Sequence, residues 1–265
     1  MKIGYNFNAF TDTYEAAVKA GFDYVETTFC DLAVQPESEV LALKAKTEKS
    51  GVPVLSANCL FWGTTQLLGE NATPKDELNA YLEQGFTNAE LLGIKKVVCG
   101  SGKGRSIPEG YDTEKGLDEL AEIFRRTADI AARHGCLIVI EPLNPNESNV
   151  CTSVKDGADF VARIHHPAVK LLADSYHMRA IREGFDTLSS YKDILYHTHI
   201  AEAIEGETSL RRCPNRADEN NIRSFVTALK EMGYDDTLTV EANRPEEKLL
   251  ETITESLEVI REWLK

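Results

Sequence analysis

The sequence predicts a closed (β/α)8 barrel. Three observations carry that expectation. Eight short runs rich in β-branched residues recur along the 265-residue chain, nearly all followed by a segment with helical spacing; alternation of this kind implies a parallel sheet. Five of the helical segments stop at a glycine directly before the next run. Eight such units in roughly 250 residues suit a sheet that closes on itself.

The runs are Ile3–Tyr5, Tyr24–Glu26, Val52–Ser56, Lys96–Cys99, Leu137–Glu141, Lys170–Asp174, Tyr196–Ile200 and Leu238–Glu241. The glycine junctions read Ala20-Gly-Phe-Asp-Tyr-Val-Glu26, Ser50-Gly-Val-Pro-Val-Leu-Ser56, Leu92-Gly-Ile-Lys-Lys-Val-Val98, His134-Gly-Cys-Leu-Ile-Val-Ile-Glu141 and Met232-Gly-Tyr-Asp-Asp-Thr-Leu-Thr-Val-Glu241. Glycine tolerates the left-handed conformation that closes a helix. Thr73-Pro74 reads as a cap followed by proline at the first helical position, with Asp76 and Glu77 in the first turn. Thr113 to His134 reads as a long helix with Leu117, Leu120, Ile123, Phe124 and Ile130 toward the core. Ser153 opens a helix stopped by Pro167, and Pro245 opens the last one.

A doubly wound open sheet is the competing architecture. It normally carries a glycine-rich phosphate loop after the first strand, which Gly4-Tyr-Asn-Phe-Asn is not. Gly100-Ser-Gly-Lys-Gly-Arg105 lacks phosphate-loop spacing and reads as a flexible loop at the barrel mouth, with a weak capacity for phosphate or hydroxyl. No linker divides the chain, so residues 1–265 are expected to form one domain with its site at the C-terminal ends of the strands.

Composition bounds the function. Hydrophobic content is 42% and charged content 27%, ordinary for a globular enzyme. A net charge of −14 repels phosphate backbones, which argues against nucleic acid. No apolar run is long enough to span a membrane. Scattered cysteines at 30, 59, 99, 136, 151 and 213 and no signal-peptide pattern lead us to expect a cytoplasmic protein with reduced thiols.

Four runs stop abruptly at an ionisable residue: Glu141, Asp174, His199 and Glu241. They end the fifth to eighth strands, which are neighbours in a barrel, so their side chains can meet at one point. Each alone reads as a solvated charge or a core histidine. Together, three carboxylates would repel one another unless a cation neutralised them. Carboxylates with one imidazole suit a divalent cation, Mn²⁺ first and Mg²⁺ or Co²⁺ next; no thiolate argues for zinc. His197, on the same face one layer deeper, reads as structural. Tyr5, Phe7, Phe61 and Trp62, near the early strand ends, read as an apolar wall of the site against which a ligand could pack.

The second half of the chain resembles the sugar isomerase/epimerase family of xylose-isomerase-like TIM barrels, nearest the ketose 3-epimerase branch, with hydroxypyruvate and inosose isomerases close by. Glu141-Pro-Leu-Asn-Pro-Asn-Glu147, Asp174-Ser-Tyr-His-Met178 and His197-Thr-His-Ile-Ala-Glu202 carry the resemblance, and Glu241 completes the set. It implies Glu141, Asp174, His199 and Glu241 as metal ligands and Glu147, His177 and an arginine as substrate contacts. It also implies a homo-oligomer, dimer or tetramer. The family's arginine closely follows the strand-seven histidine; here the counterpart is Arg211-Arg-Cys-Pro-Asn-Arg216, without the family's glycines. Arg212 is preferred over Arg211.

The expected function is therefore metal-dependent epimerisation or isomerisation of a ketose or keto-cyclitol through a cis-enediolate, with Glu141 and Glu241 as the two acid/bases. Two alternatives keep the same barrel: a keto-sugar or inosose dehydratase, and a subunit of a lyase that cleaves carbon-glycosides. A non-catalytic sugar-binding protein is a third. An abasic-site endonuclease would need further histidines at the ends of the third and fourth strands, which read Ser56-Ala-Asn58 and Cys99-Gly100.

Overall fold

The glycine junctions set the chain's rhythm. Gly21, Gly51, Gly93, Gly135 and Gly233 all have φ between 68° and 88°, each at or just past a helix end. In the computed structural model, residues 1–7, 9–11, 13–61, 63–203, 210–218, 221–243 and 247–265 are described. The strands are β1 (Lys2–Asn6), β2 (Tyr24–Thr28), β3 (Val54–Asn58), β4 (Lys96–Cys99), β5 (Leu137–Ile140), β6 (Val169–Asp174), β7 (Leu195–Ile200), β8 (Glu202–Ala203), β9 (Arg211–Arg212) and β10 (Thr237–Val240). All but β8 and β9 close into a parallel barrel, in the order β1-β10-β7-β6-β5-β4-β3-β2. The predicted barrel is therefore the observed one.

Helices α1 (Thr13–Ala20), α2 (Phe29–Ala33), α3 (Glu37–Ser50), α4 (Lys75–Leu92), α5 (Gly102–Arg105), α6 (Thr113–Arg133), α7 (Val154–Ile164), α8 (Ser175–Ala180), α9 (Arg223–Glu231) and α10 (Leu249–Trp263) connect the strands. Ser153 caps α7 by accepting from the Asp156 amide at 3.1 Å. In α6, Leu120, Phe124 and Ile130 are buried and Leu117 and Ile123 pack partly buried against the same core. Among the described residues, no helix is long and apolar enough to cross a membrane.

Three local expectations need revision. The α4 helix starts at Lys75, with Pro74 itself in the cap position and extended at ψ 139°, so Thr73 lies outside it. The third strand begins at Val54, two residues late, since Pro53 offers no N–H to a ladder, and it runs on to Asn58, which pairs with Thr28 of β2. The Gly100–Arg105 segment is no flexible loop: it includes the single turn α5, and Arg105 is fully buried, donating to the carbonyls of Cys99 (2.8 Å) and Glu141 (2.6 Å). Pro245 lies outside the described residues.

Side chains alternate across the sheet, so each strand feeds two cores. Ile138 and Ile140 join the large cluster between barrel and helices, while Val139 faces inward with Val98 and Leu172. Fully burying one such side chain contributes about 1.5–3 kcal/mol. The rest of the interior is polar. Glu26, Ser56, Lys96, His197, Thr237 and Thr239 are all buried there. Lys96 closes the floor, donating to the Tyr196 carbonyl at 2.6 Å and Thr237 Oγ1 at 2.9 Å, and pairing with Asp236. A buried polar interior must be hydrogen-bonded throughout, and this one supports the layer above it.

Candidate metal centre

The abrupt strand ends deliver their side chains to one place. Asp174 is the last residue of β6, His199 the second last of β7, and Glu141 and Glu241 stand one past β5 and β10. One ligand atom from each of the four lies within 4.8 Å of the others. His199 Nδ1 is 3.1 Å from Glu141 Oε1 and 3.3 Å from Glu241 Oε2. Asp174 and His199 are buried; Glu241 is partly open to the mouth.

The cluster is short of positive charge. Burial pushes the Asp174 carboxyl up to about 7, with Glu141 and Glu241 adding to the push and Arg211 opposing it. Burial also raises Glu241, but the charges of His199 and Arg211 outweigh it and hold this carboxyl below the usual range. Burial alone would lower His199; Glu241, Glu26 and Glu141 overcome it and hold the ring protonated well above the ordinary histidine range. A proton on His199 and the Arg211 guanidinium thus do part of what a cation would do. Three oxygen donors and one imidazole, gathered in a buried mouth, fit a hard or borderline divalent ion.

Arg211, not Arg212, enters the cluster. Strands β8 and β9 form a two-stranded antiparallel ribbon in which Glu202 faces Arg212. Arg212 pairs with the buried Glu202 at 2.6 Å, so the alternate residue Arg211 points the other way. It pairs with Glu241, approaches Asp174 Oδ2 at 3.5 Å and Glu147 Oε2 at 3.8 Å, and lies over the Tyr176 ring at 4.6 Å.

His177 is buried beside it. Its Nδ1 accepts from the Asn144 amide at 3.0 Å, which leaves the proton on Nε2. Arg211 Nη2 lies 2.9 Å from that nitrogen, so the guanidinium and the imidazole edge stand side by side. Burial, then the Arg211 charge, keep the ring neutral. Asn144 also donates to Glu147 Oε1 at 2.8 Å, fixing the side chain six residues past Glu141.

The early aromatics are differently placed. Tyr5 and Phe61 are buried, Tyr5 against Phe7 and Phe22 and Phe61 against Phe124. Trp62 lies outside the described residues. His197 is enclosed between Thr237 and Glu26 at 2.6 Å each.

Several residues at the site were not singled out from sequence. Asn58 donates to Glu241 Oε1 at 2.9 Å. Glu26 reaches the underside of His199, Oε1 to Nε2, at 2.9 Å. A signal for Glu26 existed: its run ends at an ionisable residue just as the later four do.

Fold and site together define a (β/α)8 barrel with a carboxylate–imidazole cluster at its mouth that could hold a cation. The chain belongs to the xylose isomerase-like TIM barrel family, whose model matches residues 14–263. It is similar to a D-psicose 3-epimerase of Agrobacterium fabrum, 25% identical over 205 residues that cover 76% of this chain and 68% of that protein. It is also similar to an inosose isomerase of Bacillus velezensis, 27% identical over 264 residues covering 93% and 90%. Among solved structures, a D-psicose 3-epimerase with D-tagatose from Clostridium cellulolyticum H10 superposes with a TM-score of 0.81 at 20% identity, 100% of each chain covered. The IOLI protein with a bound zinc atom gives 0.73 at 19% identity, covering 100% of this chain and 98% of that one. At these identities the structural likeness is one of fold.

Proposed function

We propose that the protein is a divalent-metal-dependent sugar epimerase or isomerase acting on a ketose or keto-cyclitol. The observation that carries this reading is the placement of Glu141 and Glu241, each within 3.3 Å of the same His199 nitrogen, from strands on either side of β7 and β6. Relatives named as epimerases and isomerases support it.

Glu141, Asp174, His199 and Glu241 would hold the ion, with Mn²⁺ preferred and Mg²⁺ or Co²⁺ as alternatives. When bound, the cation supplies Lewis-acid polarisation of a substrate carbonyl and its neighbouring hydroxyl. One of Glu141 and Glu241 takes the proton α to the carbonyl, giving a cis-enediolate. The other returns a proton to the opposite face, which inverts one carbon. Return to the neighbouring carbon instead gives aldose–ketose isomerisation. Two carboxylates are required because one base serves one face. His177 and Arg211, side by side at the mouth, can donate hydrogen bonds to the developing enediolate oxygen. Glu147 binds a terminal hydroxyl.

The test is incubation of Mn²⁺-loaded protein with a panel of ketoses and keto-cyclitols in D₂O, followed by NMR. Deuterium should enter carbon adjacent to the carbonyl of the true substrate, with an epimerised or isomerised product. A product that has lost one water, or one cleaved at a carbon–glycoside bond, would point instead to the lyase chemistries. Absence of exchange across the panel by folded, metal-loaded protein would remove the reading.

A further inference from the structure

One buried carboxylate has no part in the chemistry above. Glu26, on β2, is fully enclosed inside the barrel beneath the metal ligands. Both of its oxygens are occupied. Oε2 accepts from Ser56 Oγ at 2.7 Å and from His197 Nε2 at 2.6 Å. Oε1 accepts from Asn6 Nδ2 at 2.9 Å and faces His199 Nε2 at 2.9 Å. That last approach is bent off the ring N–H axis and is an ion contact, not an aligned hydrogen bond. Yet Nε2 is buried, and Glu26 Oε1 is the polar atom facing it.

The network beneath fixes Glu26 in turn. Lys96 Nζ donates to Thr237 Oγ1 at 2.9 Å, and Thr237 can give its own proton to His197 Nδ1, 2.6 Å away. With Nδ1 accepting, the neutral ring carries its proton on Nε2, directed at Glu26. Three hydrogen-bond donors and the His199 ring converge on one carboxylate, a set that suits its ionised form. An imidazole above an ionised carboxylate keeps its proton on the side facing it. For His199 the Nε2 proton faces Glu26, so the proton that a cation would displace is the one on Nδ1, the nitrogen beside Glu141 and Glu241.

We propose that Glu26 is the positioning residue of the metal centre: held from below by Ser56, Asn6 and His197, it fixes the Nε2–H tautomer of His199 and thereby presents Nδ1 to the cation. This rests on the metal site proposed above. Partners of this kind behind a metal-ligating histidine set ring orientation and ligand basicity. Glu26, His197 and His199 could also be taken as a second cation site, since their ligand atoms cluster as well. The three hydrogen bonds already on Glu26 argue against it.

The experiment has two arms. In the first, Mn²⁺ is titrated into metal-free wild-type and Glu26→Gln protein, with Mn²⁺ followed by electron paramagnetic resonance and the metal-free melting temperature recorded. The wild type should bind one ion per chain, and Glu26→Gln should bind it roughly 10–100-fold more weakly. Equal affinity in the two would overturn the role of Glu26 while leaving the metal site intact. No binding by the wild type would instead defeat the site itself. Two ions in the wild type would overturn the hydrogen-bonded role of Glu26. The second arm needs no variant and stands even if Glu26→Gln fails to fold. In Zn²⁺-loaded wild-type protein, long-range ¹H–¹⁵N correlation of the histidine rings should show His199 ligated through Nδ1 and protonated at Nε2. Ligation through Nε2 would overturn the proposal.

Discussion

Gly100 and Glu141 compete for one volume: a Cβ at Gly100 would lie 2.3 Å from Glu141 Oε2. The absence of a side chain at the end of β4 is therefore what lets the Glu141 carboxylate take its place. Two residues on, a Cβ at Gly102 would meet the Glu147 backbone carbonyl at 2.1 Å, so the same segment gives clearance to both glutamates. Gly100→Ala should leave the fold intact, because the obstructed atom is the end of a flexible side chain. It should weaken Mn²⁺ binding at least about tenfold, or ~1.4 kcal/mol. Calorimetric titration alongside a thermal melt checks both halves.

Replacing either proposed base removes proton transfer on one face. Glu141→Gln and Glu241→Gln should each keep the wild-type circular dichroism spectrum and lower kcat by about 10²–10⁴-fold on a confirmed substrate. Turnover near the wild-type rate in either variant would contradict the two-base scheme.

The adjacent arginines should separate cleanly. Arg211 lies among Glu241, Asp174 and His177, and Arg211→Ala should abolish turnover in a folded protein. Arg212 satisfies the buried Glu202 at 2.6 Å but is itself more than a third exposed. Its loss should cost about 1–3 kcal/mol of stability, the penalty of an under-satisfied buried carboxylate, with activity per folded molecule retained. Urea unfolding and kcat measured on the same two samples decide the matter.

Metal uptake should release protons. In the metal-free protein the raised His199 keeps a proton on its ring at neutral pH, and Asp174 titrates near 7. A cation needs both groups deprotonated. Raising the pH removes the competing protons, so apparent affinity should climb with pH. The climb should be steeper below pH 7, with about two protons released, than above it, with about one. Calorimetry in buffers of different ionisation enthalpy counts those protons; an affinity flat between pH 6 and 8 would contradict the prediction.

The barrel and the four strand-end residues were legible because both rest on local patterns: a glycine after each helix, and an apolar run that stops at a charge. What escaped depends on register and close approach. Arg211 and Arg212 are indistinguishable until the two-residue ribbon to Glu202 assigns their faces. Asn58 reaches Glu241 from the end of β3 on the other side of the barrel mouth, and which polar strand ends meet there is beyond what spacing specifies. Gly100 and Gly102 look like a flexible loop in sequence, because the glutamate and the backbone they clear lie some forty residues away. Glu26 shows the terminal charge of its run, but its role depends on the ring of His199 across the barrel.

The central claim is that Glu141, Asp174, His199 and Glu241 grip one divalent ion. Crystals grown with Mn²⁺ and measured near the manganese absorption edge test it most directly. The anomalous difference map should show one strong peak within bonding distance of all four side chains. No peak there, or a peak confined to other residues, would contradict it.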